Sequence, residues 1–184
     1  MSFVTNLTPE NSSMTALLRL HPQIADAISS MSEYVMRSEE VQFSRAEREL
    51  IATYVSDLNA CEYAARTHQA TAEAEGMNSS VFALILENID LAPVDERLKP
   101  VLHYVNTLTL NPAAMTQAKV NAVFNAGWDE NSFHFATMVC GMFSLFNRLL
   151  LGYGISNTAE FYRESGRHLA ENGYLPVAGS GSES

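Results

Sequence analysis

Apolar residues recur at helical spacing along most of the chain. Between Pro22 and Arg37 they follow one another at intervals of three and four residues, which places them on one face of an α-helix. No segment shows the alternation of apolar and polar residues, bounded by turn residues, that is typical of a half-buried strand. The pattern therefore predicts an all-α fold of about seven or eight helices. The apolar positions of the Pro22–Arg37 segment, predicted to be its buried face, are Ile24, Ala27, Ile28, Met31, Tyr34 and Val35.

Capping and helix-stopping residues divide the chain into helical segments. Ser44 followed by Glu47 fits a capping box, in which a hydroxyl and a carboxylate each satisfy a free backbone amide. Cys61 begins the next helix, and Gly76 ends it because glycine adopts the left-handed conformation easily. Pro100 either kinks a long helix that ends at Leu110 or lies in the first turn of a helix that begins near residue 98.

The most apolar stretch of the chain runs from Asn131 to Asn147. Asp129 is placed to cap a helix that includes this stretch and continues to about Tyr153. A membrane-spanning helix needs ~20 mainly apolar residues, whereas this stretch contains His134 and several other polar side chains. We therefore expect a buried core helix and no membrane span.

Composition adds constraints on size and partners. The chain has 184 residues, 47% of them hydrophobic and only 17% charged, with a formal net charge of −10. This length suits one domain, which we expect over residues 1–177, with a core at 14–154, a C-terminal arm at 155–177 and a flexible Gly/Ser-rich tail at 178–184. The acidic balance argues against a nucleic-acid partner. The shortage of charge indicates that part of the surface is buried between subunits.

Several kinds of site are not indicated. Two cysteines exclude a disulfide scaffold, and the N-terminus does not have the pattern of a secretory signal, so we expect a cytoplasmic protein. The five histidines are dispersed without metal-ligand spacing. The sequence contains no Gly-rich phosphate loop, nucleophile elbow or nucleotide fingerprint. Neither a metal nor an organic cofactor is therefore expected.

The candidate chemistry lies between residues 49 and 68. Cys61, Ala64 and His68 are three, four and seven residues apart, so they share one face of a helix. The positive end of the helix dipole is expected to lower the pKa of the Cys61 thiol. Glu49 lies on the preceding helix and approaches His68 if the two helices pack as a hairpin. A carboxylate, an imidazole and a thiol in that arrangement would form a proton relay.

These residues resemble the alkylhydroperoxidase D-like, peroxidase-related branch of the carboxymuconolactone decarboxylase family. The family pattern is Glu, eleven residues, Cys-x-x-Cys, three residues, His, and this chain retains Glu49, Cys61 and His68 at those spacings. The flanking phrases SRAERELIA and LNACEY and the later FNRLL (Phe146 to Leu150) also look like family members. The resemblance covers roughly Met14 to Gly154 and implies the family's helical fold.

The departure from the pattern concerns the second cysteine, which is replaced by Ala64. In the family that thiolate attacks the peroxide and the first cysteine resolves the sulfenic acid as a disulfide. Residue-for-residue transfer makes Cys61 the resolving position and Ala64 a vacant attacking position. Three explanations stay open: Ala64 is a deliberate replacement, Cys61 acts alone as the peroxidatic thiol with His68 as base, or redox chemistry has been lost.

The resemblance implies an antioxidant oxidoreductase that reduces organic hydroperoxides, with an unidentified thiol reductant and a homo-oligomeric state, trimer or hexamer. Tyr54, Val55 and Tyr63 are expected to line an apolar substrate cleft. The alternatives are a decarboxylase-like enzyme that uses His68 and Glu49 as acid and base, and a non-redox binding protein of the same fold. Two further residue groups have expected structural roles: Cys140 is expected to be a packed core thiol, and Asn147 and Arg148 an interface pair.

Overall fold

The computed structural model describes residues 2–7 and 12–175, so the predicted tail at 178–184 lies outside the described residues. Over these residues the chain forms nine α-helices, two short 3-10 helices and no strand, which confirms the all-α prediction with one helix more than expected. The helices are α1 (Met14–Arg19), α2 (Pro22–Arg37), α3 (Arg45–Leu58), α4 (Glu62–Ala74), α5 (Ser80–Glu87), α6 (Leu98–Leu110), α7 (Gln117–Asn125), α8 (Glu130–Tyr153) and α9 (Ala159–Asn172). The 3-10 helices are Ile89–Leu91 and Pro112–Ala114.

Local signals in the sequence set several helix ends. The Ser44 hydroxyl accepts from the Glu47 amide while the Glu47 carboxylate accepts from the Ser44 amide, so the predicted capping box starts α3. Gly76 follows α4 with φ of +98°, the conformation in which glycine is least strained. Helix α6 begins at Leu98, which decides between the two alternatives for Pro100: the proline lies in the first turn, where its missing N–H has no partner to lose.

Helix α3 is the centre of the molecule. Every residue from Arg48 to Ser56 is buried, because α3 packs against α4 and α8 and also meets α5 and α6. Helix α4 returns antiparallel beside it after a tight turn at Ala60, which has φ of +55°. This hairpin carries the predicted Glu49 and His68 on facing helices.

Helix α9 lies against the other side of α4 at very short range. A Cβ built on Gly166 would lie 2.6 Å from the Thr67 carbonyl oxygen and 2.6 Å from the Ala70 Cβ. Real Cβ atoms do not approach that closely, so α9 crosses α4 with backbone against backbone. This crossing fixes where the chain after α9 meets α4.

Helix α8 is long and apolar enough to span a membrane by length and composition, with a mean hydropathy of 1.4 over its most apolar window. Half of that window is buried inside the protein, and a core helix of a globular domain passes the same test. Asn147 is fully buried, and its side-chain oxygen accepts from the Ser56 hydroxyl at 3.2 Å. Asn147 is therefore a core residue rather than part of the expected interface pair, whereas Arg148 is exposed.

The buried face of α2 matches the predicted one only in part. Ile24 is 55% exposed and Tyr34 is 53% exposed, while Ser32, Val35 and Met36 are buried. The helix packs on α3 and α8. Of the predicted stripe, Val35 is buried and Ile28 and Met31 pack against the core. The first half of α2 borders a cavity instead of the core.

Candidate functional site

Glu49 and His68 form a buried pair across the α3–α4 hairpin. Nδ1 of His68 lies 2.7 Å from Oε2 of Glu49, and both residues are less than a tenth exposed. An ionised carboxylate can only accept hydrogen bonds, so Nδ1 carries the proton in this pair. In a neutral imidazole held this way, Nε2 is the nitrogen with a free lone pair.

Tyr174 completes the pair from the segment that follows α9. Its hydroxyl donates to the second carboxylate oxygen of Glu49 at 2.5 Å, and its ring stacks parallel to the His68 ring with centroids 6.2 Å apart. Burial raises the pKa of Tyr174 well above its ordinary value, and the neighbouring Glu49 carboxylate raises it further. The hydroxyl therefore stays protonated and remains a donor.

Sequence reasoning did not identify Tyr174. It lies 125 residues from Glu49 in the chain and follows the last helix, where no periodic pattern indicates which side chains turn inward. The only local signal is Gly173, whose φ of +77° marks the end of α9 and turns the chain back toward α2.

A cavity of about 1010 Å³ opens beside this group, between α1, α2, α4, α8 and α9. The volume is at the upper end of the usual range for ligand pockets. His68, Ala64, Tyr63 and Tyr174 all line it. The rest of the wall is largely apolar and includes Met14, Leu18, Ile28, Phe143, Phe146, Leu150 and Phe161. Its exposed polar residues are Thr15, Arg19, Asp26, Glu164 and His168.

Cys61 lies outside the cavity wall that the described residues form. It is 1% exposed and packs in an apolar cluster with Leu17, Leu150, Ile155 and other side chains. Burial raises the pKa of the Cys61 thiol, and a hydrogen bond with the Ala64 backbone opposes that rise without cancelling it. This direction is opposite to the expected lowering: Cys61 is the N-cap residue of α4, but its burial favours the neutral thiol.

Cys140 is a separate buried thiol in the main core. It is free, as Cys61 is, and its sulfur lies 3.3 Å from the Thr109 hydroxyl oxygen. Its apolar neighbours belong to a different cluster from those of Cys61. This placement agrees with the expected packing role.

Of the three predicted cleft residues, only Tyr63 lines the cavity. Its hydroxyl accepts from the Met14 amide at 3.2 Å, and burial raises the pKa of Tyr63 to about 12. Tyr54 and Val55 instead lie in the core, where the Tyr54 hydroxyl accepts from Asn106 of α6 at 2.9 Å. The prediction failed for these two because α3 is buried on several sides, and both side chains pack in the main core.

No three His, Cys, Asp or Glu side chains converge as metal ligands in the part of the chain that the structure describes.

No protein-family model matches the sequence, and no curated protein matches it. Solved structures do match. An uncharacterized peroxidase-related protein from Silicibacter sp. TM1040 superposes with a TM-score of 0.74 at 24% identity, over 83% of this chain and 79% of that one.

A second structure carries a more specific name. It is the alkylhydroperoxidase AhpD core of an uncharacterized peroxidase-related protein from Ralstonia eutropha JMP134, with a TM-score of 0.72 at 20% identity, covering 82% of this chain and 78% of that one. The chain has the AhpD-like fold. A protein of unknown function from Agrobacterium tumefaciens, named as a candidate antioxidant defence protein AhpD, also matches, with a TM-score of 0.64 at 16% identity over 77% and 94% of the chains. The fold expected from the sequence resemblance is thus confirmed.

Within this AhpD-like fold, the vacant position reaches the cavity and the remaining thiol does not. Ala64 is on the cavity wall with His68, at the place where the sequence resemblance puts an attacking cysteine. Cys61, one helical turn earlier, belongs with Ala64 to one apolar cluster but is not among the residues that line the cavity. The described lining of the cavity therefore includes the His68 imidazole, which Glu49 contacts at Nδ1, and no thiol.

Proposed function

We propose that the cavity is a proton-transfer site in which His68 is the general base and Glu49 holds it in position. The observation that carries the proposal is the placement of His68 on the cavity wall with Nδ1 bound to Glu49 and Ala64, not a thiol, beside it. The substrate class that fits is a mainly apolar molecule with an acidic C–H next to a carbonyl group, because most of the wall is apolar.

The geometry supports a simple sequence of proton movements. Nε2 of His68 takes a proton from the substrate carbon, and the electron pair of the C–H bond delocalises into the carbonyl. Glu49 stabilises the imidazolium that forms, as a carboxylate partner does in other histidine bases. Return of the proton to a different carbon completes an isomerisation. For a β-keto acid, His68 takes the carboxylic acid proton, the C–C bond to the carboxylate breaks with loss of CO₂, and the same proton is returned to the carbanion that remains.

Solvent-deuterium incorporation tests this function directly. Unsaturated lactones and β-keto acids with apolar side chains are incubated with the protein in D₂O, and deuterium in the recovered compounds is measured by mass spectrometry. We expect incorporation with the wild-type protein and a loss on the order of 100-fold in His68→Gln, the scale of general-base catalysis. Incorporation that His68→Gln does not slow would contradict the proposal.

His103→Gln is a matched control for that experiment. Nε2 of His103 lies 2.8 Å from Oδ1 of Asp90, so it is also a histidine–carboxylate pair, but it is exposed and does not line the cavity. We expect its substitution to leave deuterium incorporation unchanged. Equal losses in both variants would show that the exchange does not come from the cavity.

A second candidate function is thiol-dependent reduction of organic hydroperoxides, which the names of the structural neighbours favour. The Cys61 thiolate would attack the terminal peroxide oxygen, breaking the O–O bond to give a sulfenic acid and an alcohol. Two external thiols would then return the sulfenic acid to the thiol, giving a disulfide and water. This route requires Cys61 to leave its apolar cluster. Its test is dithiol-dependent consumption of cumene hydroperoxide, absent in Cys61→Ser.

A further inference from the structure

We propose that Tyr174 is a positioning residue that holds Glu49, and through it His68, in the geometry required for proton transfer. This inference rests on the proposed role of His68 as the base. It assigns a function to the segment after α9, which lies far from the sequence motif of the site. Two contacts support this role. The Tyr174 hydroxyl donates to Glu49, and the Tyr174 ring stacks parallel to the His68 ring.

Both carboxylate oxygens of Glu49 have hydrogen-bond partners. Its side chain is only 4% exposed, so each carboxylate oxygen needs a partner from the protein. Nδ1 of His68 is the partner of Oε2, and the Tyr174 hydroxyl donates to Oε1. With both oxygens occupied, the plane of the carboxylate is fixed, and so is the imidazole that donates to it.

Contacts with α2 hold the backbone of Tyr174 and the end of α9 in place. Its backbone amide donates to Oε2 of Glu33 at 2.7 Å, and Arg37 donates to the last carbonyls of α9, those of Leu169 and Ala170, both at 3.1 Å. We call Glu33 and Arg37 the α2 latch. It fixes the start of the segment by backbone contacts that do not depend on the Tyr174 side chain.

Gly173 lets the chain approach the latch closely. Its φ of +77° is a conformation that other residues adopt with strain, and a Cβ there would lie 2.5 Å from Oε2 of Glu33. The turn therefore brings the backbone directly against α2 and points the next side chain at Glu49. Since the latch binds backbone atoms, Tyr174→Phe is expected to retain the docked segment and remove only the hydroxyl.

The test is the solvent exchange of the His68 Nδ1 proton, measured by NMR on protein labelled with ¹⁵N-histidine. In the wild-type protein this proton should be visible and assigned to Nδ1. In Tyr174→Phe we expect exchange to accelerate at least about tenfold, because the unpartnered Oε1 leaves the carboxylate free to turn and to take up water. Exchange at the wild-type rate would overturn the proposal.

Two further variants separate positioning from general loss of structure. Tyr104→Phe removes another buried tyrosine hydroxyl, which pairs with Thr137 at 2.9 Å away from the cavity, and should leave the exchange unchanged. Glu33→Gln retains the Tyr174 hydroxyl but weakens the latch, and should accelerate exchange. Equal acceleration in Tyr104→Phe, or none in Glu33→Gln, would contradict the inference.

Kinetics on a substrate found by deuterium incorporation give a separate readout. We expect Tyr174→Phe to lower kcat about tenfold with KM little changed, the scale seen when a partner that orients a reactive histidine is lost. The exchange measurement needs no substrate. A protected Nδ1 proton in a wild-type protein that transfers no deuterium would refute the proposed function while supporting the positioning by Tyr174.

Discussion

At the scale of single residues, Ala64 and Cys61 determine which chemistry the site supports. Both belong to one apolar cluster with Leu17 and Leu150, but Ala64 also lines the cavity, whereas Cys61 does not. A buried thiol resists ionisation, since a thiolate there would lose its hydration. The motif spacing alone does not distinguish these environments, because both positions share one face of α4.

The raised pKa of Cys61 predicts a specific loss of stability at alkaline pH. The folded protein keeps the thiol proton to a higher pH than the unfolded chain, whose cysteine has a pKa of about 8.5. The contribution of the neutral thiol to the free energy of unfolding is therefore complete below about pH 8.5 and declines as the pH rises further.

Thermal melting between pH 7 and 10 checks this expectation. The wild-type Tm should fall on the alkaline side, and the fall should be shallower in Cys61→Ala, which has no ionisable group at this position. Parallel curves for the two proteins would contradict the predicted burial. Alkylation of Cys61 by iodoacetamide at pH 8 should also be much slower than that of a free thiol.

At the scale of elements, the contact between α4 and α9 positions the segment that carries Tyr174. Gly166→Ala should destabilise the protein, although alanine favours a helix over glycine by about 1 kcal/mol. The new methyl group would meet backbone atoms of Thr67 and Thr71, which cannot rotate aside. Overpacking of this kind costs about 1–3 kcal/mol, so the net free energy of unfolding should fall.

Chemical denaturation measures that change, with Arg167→Ala as the control. Arg167 is an exposed neighbour on α9, and its replacement should change stability by less than about 0.5 kcal/mol. We expect Gly166→Ala to lower the Tm by roughly 2–4 °C for each kcal/mol lost. A Gly166→Ala protein as stable as the wild type would show that α9 does not cross α4 at this distance.

The elements also show which features a sequence can predict. The capping box of α3 and the stop at Gly76 follow from interactions between residues close in the chain, and both were predicted. The buried face of α2 was predicted only in part, since the exposed Ile24 and Tyr34 fit a helical stripe as well as the buried Val35 does. Which stripe is buried depends on distant helices. Tyr174 was missed for the same reason.

At the scale of the whole molecule, the homo-oligomer expected from composition and resemblance stays a prediction. The exposed side of α8 offers a surface for it: Leu145 and Leu151 are nearly half exposed on either side of the exposed Arg148. Burying these leucines between subunits would account for a chain with only 17% charged residues.

Light scattering during size-exclusion chromatography tests this surface. We expect a mass several times that of one chain for the wild-type protein, and a shift toward the monomer in the double variant Leu145→Lys and Leu151→Lys. Leu91→Lys is the control, because Leu91 is 76% exposed on a different part of the surface. A wild-type monomer would contradict the expected oligomer, and an unchanged oligomer in the double variant would exclude this face.

In the whole molecule His68 lines the cavity, whereas the Cys61 thiol is buried and does not. Reaction with cumene hydroperoxide tests this difference most directly. Wild-type protein and Ala64→Cys are treated side by side with a sulfenic-acid trap, and adducts and disulfides are measured by intact mass spectrometry. We expect Cys61 of the wild-type protein to remain an unmodified thiol. In Ala64→Cys, the introduced thiol should be oxidised and then form a disulfide with Cys61. Rapid trapping of a Cys61 sulfenic acid in the wild-type protein would contradict the account.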